Sequence, residues 1–302
     1  MTGGAGFVGS HLVDHLLDRG DDVVVVDNLV TGTLDNLAHL DLEVHEIDIC
    51  DADALAKVSS RVDVIYNLAS PASPIDYYRL PIQTMMTGAI GGKNLLDIAK
   101  AQDARYLLAS TSEIYGDPLV HPQPEDYWGN VHTIGPRAVY DEAKRFGEAM
   151  TASYRREFST DVAIIRIFNT FGPRMRTNDG RAIPNFISQA LAGDPLTVAG
   201  DGSQTRSICY VDDLVRGIVA MMDSDEFGPV NLGNPEELSM LELATWIREL
   251  AGSQSPIEFI ERPTDDPELR RPDITKAAEV LGWGPEVSAE TGLKATIDHF
   301  RH

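Results

Sequence analysis

At 302 residues, 43% of them hydrophobic and 24% charged, the chain has a globular composition and the length to bury the core of a two-lobed enzyme. No apolar run approaches the roughly 20 residues that span a bilayer, and Met1-Thr2-Gly3-Gly4 opens without the basic and apolar stretches of a secretion signal, so a cytoplasmic location is expected. A net charge of −22 repels polyanions, which argues against nucleic acid and anionic membranes as partners and leaves an anionic ligand to a few local arginines.

Only Met1 and Thr2 precede the first glycines, where a doubly wound sheet needs its central first strand; the expectation is a natural chain beginning several residues upstream. Gly3-Gly4-Ala5-Gly6-Phe7-Val8-Gly9 then spaces glycines by three ahead of a helix over 12–19. Glycine lets a backbone turn sharply and approach a pyrophosphate, whose charge then lies at the helix N-terminus; alone, the pattern is weak, a plain turn being the lesser alternative. It gains weight from a strand over 22–27 ending in Asp27, where a carboxylate accepts both ribose hydroxyls of adenosine and repels a 2′-phosphate. Asn28 and Leu29 bring no arginine for such a phosphate, so NAD is favoured over NADP. Asp48 and Ile49, after a strand over 42–47, are placed for the adenine edge, with a helix cap as the alternative for Asp48.

Strands over 62–68, 105–110 and 162–167 alternate with helices over 53–59, 82–101 and 138–157, the pattern of parallel strands joined by crossovers. Text rich in Gly, Pro and Asp from 171 to 202, broken by a helix over 183–192 and a strand over 195–198, suggests a second lobe. A helix over 211–222 and a strand over 230–232 return to the sheet, and helices over 238–251 and 292–302 follow. The predicted fold is α/β: a doubly wound parallel-sheet Rossmann domain, 1–168 with 211–234, and a smaller C-terminal α/β substrate-binding lobe, 169–210 with 235–302.

Tyr140 and Lys144 stand at i and i+4 on one helix face, and the strand over 105–110 ends at Thr111-Ser112-Glu113, at the edge where ligands bind in open α/β sheets. A phenol of ordinary pKa near 10 is a poor base; a Lys144 ammonium and a cationic nicotinamide are expected to lower it, so that Tyr140 deprotonates a sugar hydroxyl as hydride leaves to NAD. Cys50 and Cys209 read as inert thiols, and His11 with His15 lacks a third ligand, so no metal is expected.

The glycine turn, Thr111-Ser112-Glu113-Ile114-Tyr115-Gly116 and the Tyr140/Lys144 pair resemble the extended short-chain dehydrogenases/reductases. Leu68-Ala69-Ser70-Pro71-Ala72-Ser73-Pro74, His121-Pro122-Gln123, Arg166-Ile167-Phe168-Asn169-Thr170-Phe171-Gly172-Pro173-Arg174-Met175 and Arg270-Arg271-Pro272-Asp273 are similar to the UDP-glucuronic acid decarboxylases, across nearly the whole chain. Asn67 departs from the histidine common in the wider family. The resemblance implies NAD-dependent conversion of UDP-glucuronate to UDP-xylose through a transient 4-keto sugar. It implies Tyr140 as base and later acid, Lys144 as its tuner, Thr111 or Ser112 on the reacting hydroxyl, Glu113 disfavouring the sugar carboxylate or managing a water, and Arg270 near that carboxylate. It further implies cofactor contacts at Gly3, Gly6, Phe7, Val8, Gly9, Asp27, Asn28, Thr31, Gly32, Asp48, Ile49, Leu68, Ser70, Thr87 and Ala109, besides Tyr140 and Lys144. Substrate contacts are implied at Asn169, Arg174, Arg181, Arg206 and Tyr78, and a homodimer through the helices over 82–101 and 138–157.

The alternatives are an oxidative decarboxylase releasing the 4-keto-pentose with NADH, a nucleotide-sugar epimerase or dehydratase, and a dinucleotide-sensing binding module. Ser112-Glu113 weighs against a dehydratase, whose elimination uses an Asp-Glu pair, and a binding module has no use for Tyr140, Lys144 and Glu113 together.

Overall fold

The computed structural model describes residues 1–58, 61–261 and 269–301. After the glycine turn, α1 (Phe7–Arg19) ends at Gly20, whose φ of 92° lets its N–H return to the Leu16 and Leu17 carbonyls. Then follow β1 (Val24–Asp27), β2 (Glu43–Glu46), a one-turn α2 (Ala52–Leu55) and β3 (Val64–Asn67). Next are α3 (Pro74–Arg79), α4 (Pro81–Met86), α5 (Gly92–Gln102), β4 (Arg105–Thr111), α6 (Ala138–Phe158) and β5 (Val162–Ile167). The second half runs β6 (Thr170–Phe171), α7 (Ala182–Ala192), β7 (Leu196–Ala199), β8 (Thr205–Ser207), β9 (Cys209–Tyr210), α8 (Val211–Asp223) and β10 (Val230–Leu232). It closes with β11 (Glu237–Ser239), α9 (Met240–Leu250), β12 (Ile257–Ile260), α10 (Thr275–Leu281) and α11 (Ala289–Phe300).

β10, β5, β4 and β3 form a parallel sheet in that order, and β1 pairs in parallel with β2. Thr2 joins the two, bridging Val26 on one side and Asn67 on the other, with its N–H donating to Tyr66 O at 2.9 Å and Val26 N–H donating to Met1 O at 2.8 Å. Residues on β4 and β5 alternate between two cores. Leu107, Ala109, Ala163 and Ile165 pack with Leu12 of α1 and Leu214 and Ile218 of α8. Tyr106, Leu108, Val162 and Ile164 pack with Leu95, Leu96 and Ala99 of α5 and Tyr154 of α6. A sheet covered on both faces is why these strands read as near-continuous apolar runs.

The second lobe has its own core, in which Phe186 and Ile187 of α7, Leu196 and Val198 of β7, Leu243 and Ile247 of α9 and Leu293 of α11 meet. Its small sheets pair β7 with β12, β8 with β11, and β6 with β9. Ala277 of α10 and Trp283 pack instead into the first core, so that lobe draws on residues beyond 211–234.

Several expected boundaries shift. The helix over 82–101 is α4 and α5 joined by a π-helical turn, Thr87–Gly91; within it a Cβ on Gly88 would stand 2.9 Å from Ala143 O, so glycine permits the close crossing of α6. The helix over 53–59 is the single turn α2, and its expected end at Ser59 lies outside the described residues. The Glu-Leu-Ser stretch before α9 is strand β11, after which Ser239 and Glu242 cap α9 reciprocally. The last helix starts at Ala289, capped by Ser288, and His302 lies outside the described residues. No helix among the described residues is long and apolar enough to cross a membrane.

Candidate active site

The C-terminal ends of β1, β3, β4 and β5 open onto a cleft of about 890 Å³ between the lobes. On its first-lobe side, Gly3 has a φ of 72° and packs where a Cβ would come within 2.8 Å of Leu68 C and Ala69 N. A Cβ on Gly9 would collide with the Gly3 carbonyl. Gly6 is the N-cap of α1 and offers no side-chain cap, and the helix has no acidic residue in its first turn. Its N-terminal dipole and first N–H groups are therefore available to a pyrophosphate. Asp27 is buried at the tip of β1, its Oδ2 accepting from Ala5 N–H at 3.0 Å and its Oδ1 from Leu29 N–H at 2.9 Å. Each oxygen keeps a lone pair for a ribose hydroxyl. These residues fit a dinucleotide.

Gly6, Phe7, Val8, Asn28, Thr31, Asp48, Ile49, Leu68, Ser70, Thr87 and Ala109 also line the cleft. Gly32 does not: a Cβ there would meet Ala5 C at 2.9 Å, so its glycine serves the packing of its own loop. The cap of α2 is Asp51, which accepts from Ala54 N–H at 2.9 Å, while Asp48 accepts from Cys50 N–H at 2.8 Å and lines the cleft.

Tyr140 and Lys144 lie buried on the inward face of α6. Lys144 Nζ donates to Ala109 O at 2.9 Å, and burial lowers its pKa to about 8. The expected lowering of the Tyr140 phenol is reversed in the protein's own electrostatics: burial, then the Glu113 charge, push it up, against the opposing Thr111 hydroxyl. The Lys144 ammonium, 5.8 Å from the Tyr140 ring centroid and donating to a carbonyl, does not outweigh them. Tyr77 stacks on Tyr140 at 5.3 Å with planes 9° apart. The tyrosine facing the cleft from α3 is thus Tyr77; Tyr78, the expected contact, is 48% exposed, turned away by one residue's rotation of the helix. Pro74, readable as part of a turn, is the first residue of this helix, capped by Ser73.

β4 delivers Thr111 and Ser112, both buried, into the cleft, and the Thr111 hydroxyl accepts from Glu113 N–H at 3.3 Å to cap a 3₁₀ turn, Ser112–Tyr115. Glu113 is clasped by two guanidiniums: Arg137 Nη2 donates to Oε2 at 2.6 Å, and Arg270 Nη1 donates to Oε1. Although burial opposes ionisation, the charges of Arg270 and Arg137 hold the carboxyl down at about 2. The expectation that a bare Glu113 charge repels a sugar carboxylate therefore fails, because two arginines against one glutamate leave a net positive centre. Arg137 was missed by sequence reasoning; its signal is its place three residues before Tyr140, at the end of α6 that points into the cleft.

Asp141 is buried with Oδ1 lacking a partner, and burial first, then Glu113, raise its pKa to about 7. Between its ordinary 3.8 and about 7 the folded protein holds a proton that the unfolded chain has released, so this group's contribution to stability falls as pH rises through that window. Asp141→Asn is accordingly expected to raise Tm at pH 8, by about 2–4 °C for each kcal/mol relieved. Calorimetry across pH should show the gain shrinking toward zero near about pH 4.

The second lobe contributes Asn169, whose Nδ2 is buried without a partner, and Arg174, whose left-handed φ of 65° accompanies a buried, unpartnered Nη1. Arg174 Nη2 pairs with Asp14 at 2.7 Å, and Arg181 Nη2 donates to Asp179 at 2.8 Å. Arg206 Nη1 donates to Thr205 O at 2.8 Å. All four line the cleft, so a diphosphate entering here competes with Asp14 for Arg174 and with Asp179 for Arg181.

Comparison with known proteins gives three findings. The model of the NAD dependent epimerase/dehydratase family matches residues 1–233. UDP-glucuronic acid decarboxylase 1 of Arabidopsis thaliana is 50% identical over 302 residues, all of this chain and 69% of the relative, and that of Danio rerio 53% over 300 residues, 99% of this chain and 72% of the relative. Among solved structures, UDP-glucose 4-epimerase of Thermotoga maritima superposes with a TM-score of 0.93 at 31% identity, covering 99% of this chain and 97% of its own. UDP-glucuronic acid 4-epimerase of Bacillus cereus, in complex with UDP-glucuronic acid and NAD, gives 0.89 at 30%, covering 99% and 98%.

Proposed function

From a chain that belongs to the NAD dependent epimerase/dehydratase family, we infer the activity of its half-identical relatives: NAD-dependent decarboxylation of UDP-glucuronate to UDP-xylose. What supports this reading over an epimerase or a dehydratase is the identity of 50–53% to decarboxylases along the whole chain, against 30–31% to the two epimerases; the cluster of Glu113, Arg137 and Arg270 in the cleft that Tyr140 lines supplies cations for the sugar carboxylate.

When bound along the glycine turn and Asp27, NAD supplies reversible hydride chemistry at C4 of the sugar. Tyr140 takes the C4 hydroxyl proton, with Thr111 or Ser112 hydrogen-bonded to that oxygen, and returns it at the end of the cycle. Neutral in the resting protein, the phenol would act as base only as its phenolate, its own proton passing to solvent where the charge of a bound nicotinamide and the Lys144 ammonium favour the ionised form. Lys144, fixed by Ala109 O, holds the ammonium beside it. A ketone at C4 lies β to the C5 carboxylate, so carbon dioxide departs with its bonding electrons passing into an enolate. C5 then gains a proton, and UDP-glucuronate plus one proton becomes UDP-xylose plus carbon dioxide. Glu113, held near a pKa of about 2, is ionised at neutral pH and orients a water as proton source rather than donating its own. Arg270, by the same reasoning, binds and orients the carboxylate. The UDP diphosphate meets Arg174, Arg181 and Arg206, with Asn169 Nδ2 as a neutral donor.

Product mass after incubation with UDP-glucuronate and NAD tests this. The expected product is a UDP-pentose lighter by carbon dioxide, with no NADH accumulating. A UDP-hexuronate of unchanged mass inverted at C4, or one lighter by water, would overturn it; a keto-pentose matched by NADH would make the enzyme an oxidative decarboxylase.

A homodimer is part of the same proposal. Ile82, Met85, Met86 and Ile90 lie exposed at helical spacing along the α4–α5 run, Ile82 and Met86 also lining the cleft, and Phe146 of α6 is 52% exposed. A second copy of the chain laying the same helix pair against this stripe would bury it. Sedimentation velocity should give a dimer for the wild type and a monomer for Ile82→Glu/Phe146→Glu; a monomeric wild type at micromolar concentration would refute the pairing.

A further inference from the structure

His121-Pro122-Gln123 stands outside the cleft lining, yet Gln123 is fully buried, uncommon for glutamine. Its hydrogen bonds converge on the segment that follows Arg270. Gln123 N–H donates to Arg271 O at 2.9 Å, and Gln123 Oε1 accepts from Arg271 N–H at 2.9 Å, so both backbone polar groups of Arg271 end on one residue. Gln123 O accepts from Asp273 N–H at 3.0 Å and from Asn231 Nδ2 at 3.0 Å, while its own Nε2 donates to Val120 O at 2.7 Å and so fixes the amide. The peptide between Arg270 and Arg271 cannot turn without breaking the Arg271 N–H bond, and the next peptide cannot turn without breaking the bond to Arg271 O. Arg270 has a long, rotamer-rich side chain that must place one guanidinium nitrogen on Glu113 and another 3.3 Å from Gly116 O. Its aim depends on where that peptide is held.

We propose that Gln123 is the positioning residue for Arg270, clamping the Arg271 backbone so that the guanidinium meets Glu113 and the sugar carboxylate. Gln123 touches no substrate and acts only through Arg270. The inference rests on the decarboxylase reading for its catalytic consequence and on the hydrogen bonds alone for the clamp, and two measurements separate these.

Hydrogen exchange reads the clamp without turnover. In Gln123→Leu the peptide covering 269–273 should exchange at least about tenfold faster while β4 keeps its protection; unchanged exchange would overturn the clamp. Turnover of UDP-glucuronate reads the consequence. Gln123→Leu should lose about 10- to 100-fold in kcat, the scale of a misplacement near 1 Å, with NAD affinity unchanged. In an Arg270→Lys background the same substitution should cost less than about threefold, because its route of action is already broken. Equal losses in both backgrounds would overturn action through Arg270. Should Gln123→Leu fail to accumulate folded, Gln123→Asn, whose amide is too short to reach both Val120 O and Arg271 N–H, is measured in its place with the same outcomes. A wild type that binds NAD but releases no carbon dioxide would overturn the decarboxylase reading, and the exchange result would still decide the clamp.

Discussion

Tyr140→Phe is expected to lower kcat by about 10³-fold or more while leaving NAD and UDP-sugar affinity within a few-fold of wild type. General acid–base groups contribute roughly 10²–10⁴-fold, and this one serves both ends of the cycle, taking the proton from O4 and giving it back. The substitution removes a single oxygen. The ring keeps its stacking on Tyr77, and Lys144 keeps its bond to Ala109 O, so the fold and the cofactor cradle should persist. Tyr77→Phe is the matched comparison: it also removes one hydroxyl, buried and without a partner in the protein, keeps the stacked ring pair, and should cost far less in kcat than Tyr140→Phe. Single-turnover measurement of NADH formation locates the defect: Tyr140→Phe should fail already at oxidation of C4. A rate within tenfold of wild type would remove Tyr140 from the role of base.

The parts of this site that were legible are those carried by local periodicity. Strands buried on both faces read as apolar runs, a glycine turn and Asp27 at the tip of β1 stand at the two ends of the α1–β1 unit, and the four-residue spacing of Tyr140 and Lys144 puts both on one face of α6. The parts that were not legible are set by contacts distant in sequence. Glu113 meets Arg270 157 positions away, and Arg137 24 positions away, so its neutralised charge is a tertiary property. The resemblance implied Tyr78 where Tyr77 stands, and one residue of phase rotates a helix face by about 100°. The direction of the Tyr140 shift depends on burial, which no spacing encodes. Gln123 was visible as part of a motif, but its purpose required seeing which backbone it holds.

Glu113→Gln should separate binding from chemistry at the carboxylate centre. In the native protein Arg137 and Arg270 face the Glu113 anion and a part-ionised Asp141, so the substrate carboxylate meets a centre of net positive charge below +1. Glutamine keeps the volume and one acceptor but removes the Glu113 anion, raising that charge by up to one unit in a cleft where charges are poorly screened. A substrate carboxylate is then held more tightly in its ionised ground state, and the attraction is lost as the carbon dioxide departs uncharged. Interactions stronger in the ground state than in the transition state lower KM without raising kcat, and here they oppose it. The expected result is a KM for UDP-glucuronate at or below the wild-type value together with a kcat lower by about 10²-fold, the further loss coming from a water no longer oriented for C5. Oxidation at C4 should survive, so NADH absorbance should appear and persist where wild type shows none. Stability should respond as well. The Glu113 carboxyl, ordinarily near 4.5, is held at about 2 in the fold, so the native pair contributes stability above pH 4.5 that is lost as pH falls toward 2. Glu113→Gln removes that acid-labile contribution, so its Tm should fall less steeply than the wild type's between about pH 5 and 3. A raised KM with unchanged kcat would instead make Glu113 a simple binding group, and the two-arginine clasp would lose its catalytic meaning.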